Sequence, residues 1–109
     1  MNNLVYLIGR LVSDPELKKS ETTKDYASIT IAVSRPFKNS DGIYESDFIR
    51  CTLWNGIAQN THEFCKKGDL IGIRGRLQVR SYEENNETKY ITEVIVEKVT
   101  FLSSKKADE

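Results

Sequence analysis

The sequence predicts an all-β domain with one helix, folded as a five-stranded barrel with extended hairpin arms, and three observations carry that prediction. Several short segments alternate apolar and polar residues with the two-residue period of strands. Gly9, Gly72 and Gly75 fall inside such segments, where a small closed sheet needs sharp coiling or close backbone approach. A single segment keeps the longer period of a helix, and it lies between the third and fourth strands.

The first strand spans Asn3 to Val12 around Val5, Leu7 and Ile8, with Gly9 where it must bend. Ser13-Asp-Pro-Glu opens a polar loop that reaches about Asp25. Ala27 to Ser34 alternates Ile29, Ile31 and Val33 with Ser28, Thr30, Ala32 and Ser34, which reads as a half-buried second strand. Arg35 to Glu45 passes through an Asn-Ser-Asp-Gly turn and forms a hairpin arm leading into the third strand, Asp47 to Trp54. Ile57, Ala58, Thr61, Phe64 and Cys65 make the apolar stripe of the helix, which Asn55 is expected to cap and Gly68 to stop. The fourth strand is Leu70 to Tyr82. A second hairpin with a flexible polar tip spans Tyr82 to Tyr90, and a long fifth strand runs through Ile95 and Val99 to Phe101.

Two strands repeat one design. In the third, Ile49, Cys51 and Leu53 form a core stripe, so Phe48, Arg50, Thr52 and Trp54 take the opposite face. In the fourth, Ile71, Ile73, Leu77 and Val79 oppose Arg74, Arg76, Gln78, Arg80 and Tyr82. Aromatic rings interleaved with cations suit single-stranded nucleic acid, because bases stack on rings and phosphates pair with cations. The same pattern also fits a solvated strand face, with Phe48 or Trp54 packed under a loop or against another subunit.

Composition narrows the setting. A chain of 109 residues makes one domain, small for an enzyme with a deep pocket. Sixteen basic residues balance sixteen acidic ones, so any surface for a polyanion must be a local stripe. Cys51 reads as a small core residue and His62 as a polar helix position; with one histidine and no Cys-x-x-Cys pair, no metal is expected. No Ser-His-Asp set, phosphate-cradling glycine loop or carboxylate cluster suggests catalysis, and no cofactor is implied. The first residues read as a strand rather than a secretory signal, and no run has the length of a membrane span, so a soluble cytoplasmic protein is expected.

Five strands with a helix between the third and fourth match the order of an oligonucleotide/oligosaccharide-binding (OB) barrel. Beyond that, Asn3 to Glu16, Ala27 to Lys38, Asp47 to Trp54, Lys67 to Tyr82 and Tyr90 to Val94 together resemble the bacterial single-stranded-DNA-binding protein family. The resemblance runs from Asn3 to about Leu102, which defines an expected domain at 1–102 and a short polar tail at 103–109. It implies four base-stacking positions, Phe37, Phe48, Trp54 and Tyr82, of which Phe48 and Trp54 also follow from parity. Phosphates would be met by Arg35, Lys38, Arg50, Arg74, Arg76 and Arg80, with Arg10 and Lys89 beside them.

The resemblance further implies a homotetramer that binds and protects single-stranded DNA without sequence preference, in replication, recombination, repair or DNA uptake, at the nucleoid. Longer members of the family end in a disordered linker and an acidic tip finishing in Pro-Phe that recruits partners. This chain ends Lys105-Lys-Ala-Asp-Glu109, so recruitment through a tip is not expected. That ending fits a short paralogue used in natural competence, a mobile-element version, or a chain cut after the barrel. The alternative is a tail-less primosomal-type OB scaffold acting mainly through protein contacts, against which the four aromatics argue. A cold-shock-type RNA-binding barrel would need aromatic clusters on the second and third strands, and the second strand's outward residues are Ser28, Thr30, Ala32 and Ser34.

Overall fold

Period-two alternation is realised in five long strands that curl until the first meets the second. The computed structural model describes residues 1–104. Its elements are β1 (Val5–Leu11), β2 (Lys18–Lys19), β3 (Asp25–Lys38), β4 (Tyr44–Trp54), α1 (Asn55–Phe64), β5 (Leu70–Glu84) and β6 (Glu87–Ser103). The five long strands and single helix bear out the expected OB-like barrel. The two-residue β2 is an addition, formed where the expected loop folds back on β3 with Lys18 opposite Tyr26 and Lys19 opposite Asp25. β6 runs to Ser103, and residues 105–109 of the expected tail lie outside the described residues.

The sheet order is β1-β5-β6-β4-β3-β2, and a β1–β3 pairing closes it. All pairings are antiparallel except β4–β6, which run parallel over Cys51↔Val94 and Thr52↔Ile95. β1 serves two partners: it pairs with β5 from Val5 to Arg10 and with β3 at Arg10 and Leu11. That change of partner brings Gly9 so close to β3 that a Cβ would stand 2.6 Å from the Ala32 carbonyl oxygen. Gly75 sits at a register shift between β5 and β6, where a Cβ would overlap the Ile95 carbonyl oxygen. Gly72 has room for a Cβ, 3.4 Å from the Tyr6 hydroxyl, so close approach does not explain it.

Inward residues fill the barrel: Leu11 of β1, Ile29 and Ile31 of β3, Cys51 and Leu53 of β4, Ile71 and Ile73 of β5, and Val94 and Val96 of β6. Each large aliphatic buried there contributes about 1.5–3 kcal/mol. α1 packs on β3, β4 and β6, with Ala58 and Thr61 buried and the His62 Nδ1 bonded to the Pro15 carbonyl oxygen at 2.8 Å. No helix among the described residues is long and apolar enough to cross a membrane.

Local details depart from the sequence pattern. Asn55 does not cap α1; it is the first helical residue, at φ 52°, because β4 runs into the helix with no residue between them. Trp54 occupies the cap position, and indole has no acceptor to offer. Gly68 does not stop the helix either. α1 ends at Phe64 and Cys65 turns extended, while Gly68, at φ 92°, serves a turn in which the Asp69 N–H donates to the Lys66 carbonyl oxygen. Phe64 is exposed rather than part of the buried stripe, and Leu77 and Val79 lie exposed on the outer part of β5.

Both arms are tightly built. In the β3–β4 turn the Asn39 Oδ1 accepts from the N–H groups of Asp41 and Ile43, with Gly42 at φ 76°. The β5–β6 ladder persists to Glu84↔Glu87, leaving only Asn85 and Asn86 at positive φ. The expected flexible tip is therefore a two-residue turn of the type asparagine tolerates.

Gly75→Ala is expected to cost about 1–3 kcal/mol or prevent folding, because the obstacle is backbone. Gly72→Ala is expected to stay within about 0.5 kcal/mol of the parent. Urea midpoints of the two variants test this, and equal midpoints would contradict the close-approach argument.

Burial pushes the Cys51 thiol up to about 12 from an ordinary value of 9.0. Because the folded pKa is raised, this group's contribution to stability is intact below about pH 9 and lost as pH climbs towards 12. Urea unfolding between pH 7 and 10.5 is expected to show that alkaline loss, and Cys51→Ala to reduce it.

Candidate nucleic-acid interface

The outer face of β4 carries Phe48, Arg50, Thr52 and Trp54, as its parity requires. Six residues of strand separate the two rings by about 20 Å. β3 supplies the floor beside them: Ala32 lies opposite Phe48, Thr30 opposite Arg50, Ser28 opposite Thr52 and Tyr26 opposite Trp54. The small β3 residues let the β4 side chains stand proud. Closure of the barrel extends these rows, placing Arg10 of β1 beyond Ala32 and Lys18 of β2 beyond Tyr26. The first row is thus Arg10, Ala32 and Phe48; the last is Lys18, Tyr26 and Trp54.

Phe48 is 69% exposed, whereas Trp54 is 37% exposed because Tyr26 supports it, with ring centres 5.4 Å apart and planes tilted by 36°. Trp54 forms a wall shared by two hollows. One, of about 440 Å³, is also lined by Ser20, Glu21, Thr22, Lys24 and Asn55. The other, of about 260 Å³, extends over Ser28 and Thr52 to Gln78, Arg80, Glu93 and Ile95. Phe37 and Tyr82 are exposed on the β3–β4 and β5–β6 arms respectively, and Tyr82 lies opposite Lys89.

The cations differ in how far neighbouring groups hold them. Arg35 is held at all three nitrogens: its Nε and Nη2 donate to Asp47 and its Nη1 to Glu45 at 2.9 Å. The Asp47 carboxylate, then Glu45, raises the Arg35 pKa, and Arg35 in turn holds the Asp47 carboxyl below its ordinary range. Lys89 pairs with Glu84 at 3.4 Å, Lys38 lies 5.6 Å from the centre of the Tyr44 ring, and the Arg10 Nη1 donates to the Gly68 carbonyl oxygen. The Arg76 Nη1 donates to the Gln78 Oε1, and the Arg80 Nε to the Glu93 Oε1. Arg50 is exposed between the two β4 rings. Arg74, also exposed, stands opposite Tyr6 and Lys98 on the other side of Gly75, apart from the hollow that holds Arg80.

Lys18 and Glu93 join this face without a signal in the sequence. Lys18 sits in what reads as a polar loop, and its place beside Tyr26 depends on the β2–β3 pairing. The parity of β6 turns Glu93 outward, but nothing along β6 tells that Thr52 and Arg80 converge on it. Among the described residues no cluster of three or more His, Cys, Asp or Glu side chains is placed to hold a metal. What the face offers is flat rings at intervals with guanidinium and ammonium groups between them, the chemistry of base stacking and phosphate pairing.

Residues 2–102 match the model of the Single-strand binding protein family. The chain is 48% identical over 106 residues to Single-stranded DNA-binding protein 3 of Listeria innocua, covering 96% of this chain and 66% of that protein. It is 45% identical to Single-stranded DNA-binding protein B of Bacillus subtilis, covering 96% and 94% respectively. Single-stranded DNA-binding protein 1 of Clostridium acetobutylicum is 46% identical, with 95% and 96% covered. The chain therefore spans just under two thirds of the Listeria protein and nearly all of the other two.

Trp54 is the sole tryptophan, so its emission reports this face directly. Tyr26→Ala is expected to shift that emission to the red and raise its quenching by acrylamide, since the ring that half-covers the indole is removed. Unchanged quenching would mean that Tyr26 does not shield Trp54.

Proposed function

Because the chain belongs to the Single-strand binding protein family, we propose that it binds single-stranded DNA along the outer faces of β4 and β5, stacking bases on aromatic rings and pairing phosphates with the intervening cations. The observation that carries this reading is the β4 face itself: exposed Phe48 and Trp54 with Arg50 between them, above a floor of small β3 residues. Phe37 and Tyr82 extend the stacking positions onto the arms. Each stacked base contributes about 1–3 kcal/mol.

Arg50 and Arg80 lead the phosphate contacts, with Arg76, Arg10, Lys38 and Lys89 along the strand's path; Arg74, beyond Gly75 and opposite Tyr6, meets a phosphate only where a strand continues past that point. Arg35 joins them only when Asp47 and Glu45 release it. Binding is independent of sequence, because every base has a face to stack and no groove edge is read. The protein coats and protects exposed strands in replication, recombination, repair or uptake of DNA, and breaks no bond in doing so. Residues 1–102 form the binding domain, and the protein works in the cytoplasm at the nucleoid.

The active form in this reading is a homotetramer. The outer face of β1 supports it, since Leu4, Tyr6 and Ile8 expose apolar surface that the strand-binding face does not use.

Titration with oligo-dT is expected to quench Trp54 strongly, and a matched duplex to leave it unchanged. Affinity should fall by about 0.7 log units per log unit of salt for each phosphate neutralised. Joint Phe48→Ala and Trp54→Ala substitution should weaken binding to labelled oligo-dT by about thirtyfold or more. Undiminished affinity would refute stacking, and no binding of either nucleic acid would return the aromatic face to a protein-contact role.

A further inference from the structure

Glu93 is out of place on a face that meets phosphates. It is 7% exposed, and its negative charge by itself opposes a polyanion. Burial of a carboxylate requires compensating partners, and two converge on it: the Thr52 hydroxyl donates to Oε2 at 2.9 Å and the Arg80 Nε to Oε1 at 3.3 Å. Thr52 stands where β4 and β6 make their short parallel contact, and Arg80 comes from β5, so Glu93 links three strands at the hollow beside Trp54.

The manner in which Glu93 holds Arg80 differs from the way Asp47 and Glu45 hold Arg35. Asp47 and Glu45 engage all three nitrogens of Arg35, both terminal ones included, so that guanidinium has no free fork. Glu93 takes only the Nε of Arg80, whose side chain stays 50% exposed and makes no other hydrogen bond among the described residues. The two terminal nitrogens, which carry four of the five donors, remain available as a fork for two oxygens of one phosphate.

We propose that Glu93 is a positioning residue for strand binding: by accepting the Arg80 Nε–H while anchored by Thr52, it holds the guanidinium with its terminal nitrogens outward, ready for a phosphate. This rests on the reading that the face binds single-stranded DNA. An arginine held in this way loses less rotamer freedom on binding than an unsupported one. Glu93 thereby raises affinity despite its charge, which is the opposite of what simple charge counting predicts.

The sign of the effect is the test. Affinity for labelled oligo-dT at low salt is measured for the parent, Glu93→Ala, Glu93→Gln, Arg80→Ala and both double variants, with thermal unfolding of each. Glu93→Ala is expected to weaken binding about three- to tenfold and Glu93→Gln by less, since an amide oxygen still accepts. In the Arg80→Ala background both substitutions should leave affinity unchanged or improve it, because only repulsion remains to be relieved. Tighter binding by Glu93→Ala with Arg80 present, or the same loss in both backgrounds, would overturn the assignment. Should Glu93→Ala fail to fold, the same comparison with the isosteric Glu93→Gln decides the matter. A parent protein that does not bind oligo-dT at all would remove the strand-binding reading and this one with it.

Discussion

Two contacts between backbones, Gly9 against Ala32 and Gly75 against Ile95, govern the geometry on which everything else rests. Strands of this length twist and would otherwise splay, leaving β1 and β3 apart. Because no Cβ intervenes at those points, β1 leaves β5 and reaches β3, and β6 passes from β5 to its brief parallel meeting with β4. Closure encloses Ile31, Leu53, Ile71, Ile73 and Val94 completely, and removes most of the unpaired edges that an open sheet would present.

The same closure shapes the outer surface. Alternation alone gives each strand an outward stripe, but only curling aligns stripes from separate parts of the chain into rows. Arg10 reaches the row of Phe48 across β3, and Lys18 reaches that of Trp54. Trp54 lines two hollows, one with the turn at Ser20 to Lys24 and one over Ser28, Thr52 and Arg80, rather than a flat sheet. A surface so built presents rings at their edges and faces, suited to flexible strands whose bases are splayed.

Electrostatics divides this surface more finely than composition suggests. Equal numbers of acidic and basic residues leave no net field, so attraction depends on where the acids pair. Asp47 and Glu45 enclose Arg35, and Glu84 holds Lys89, both on the arms. On the barrel itself Arg50 stays exposed and Arg80 is held on one side only. The acids thus divide the cations, holding Arg35 and Lys89 on the arms more fully than Arg50 and Arg80 on the barrel.

Strand order, the position of the helix, the Asn-Ser-Asp-Gly turn and the β4 face were legible in the sequence because each depends on residues close in the chain and on a period of two. Details set by junctions were not. Asn55 became a helical residue because β4 leaves no gap before α1, Phe64 swung out of its stripe as the helix ended, and Leu77 and Val79 kept inward parity at the outer part of β5, where they are exposed. By itself the sequence determined the alternation, and with it the core stripe and the ring-and-cation faces of β4 and β5. Only the tertiary structure decided that Arg10 lies across from Ala32 in the row of Phe48, that Lys18 lies opposite Tyr26, and that Glu93 meets Thr52 and Arg80. The Lys18–Tyr26, Arg80–Glu93 and Thr52–Glu93 pairings join residues 8, 13 and 41 positions apart along the chain, and their proximity is created by strand pairing and barrel closure rather than by local pattern.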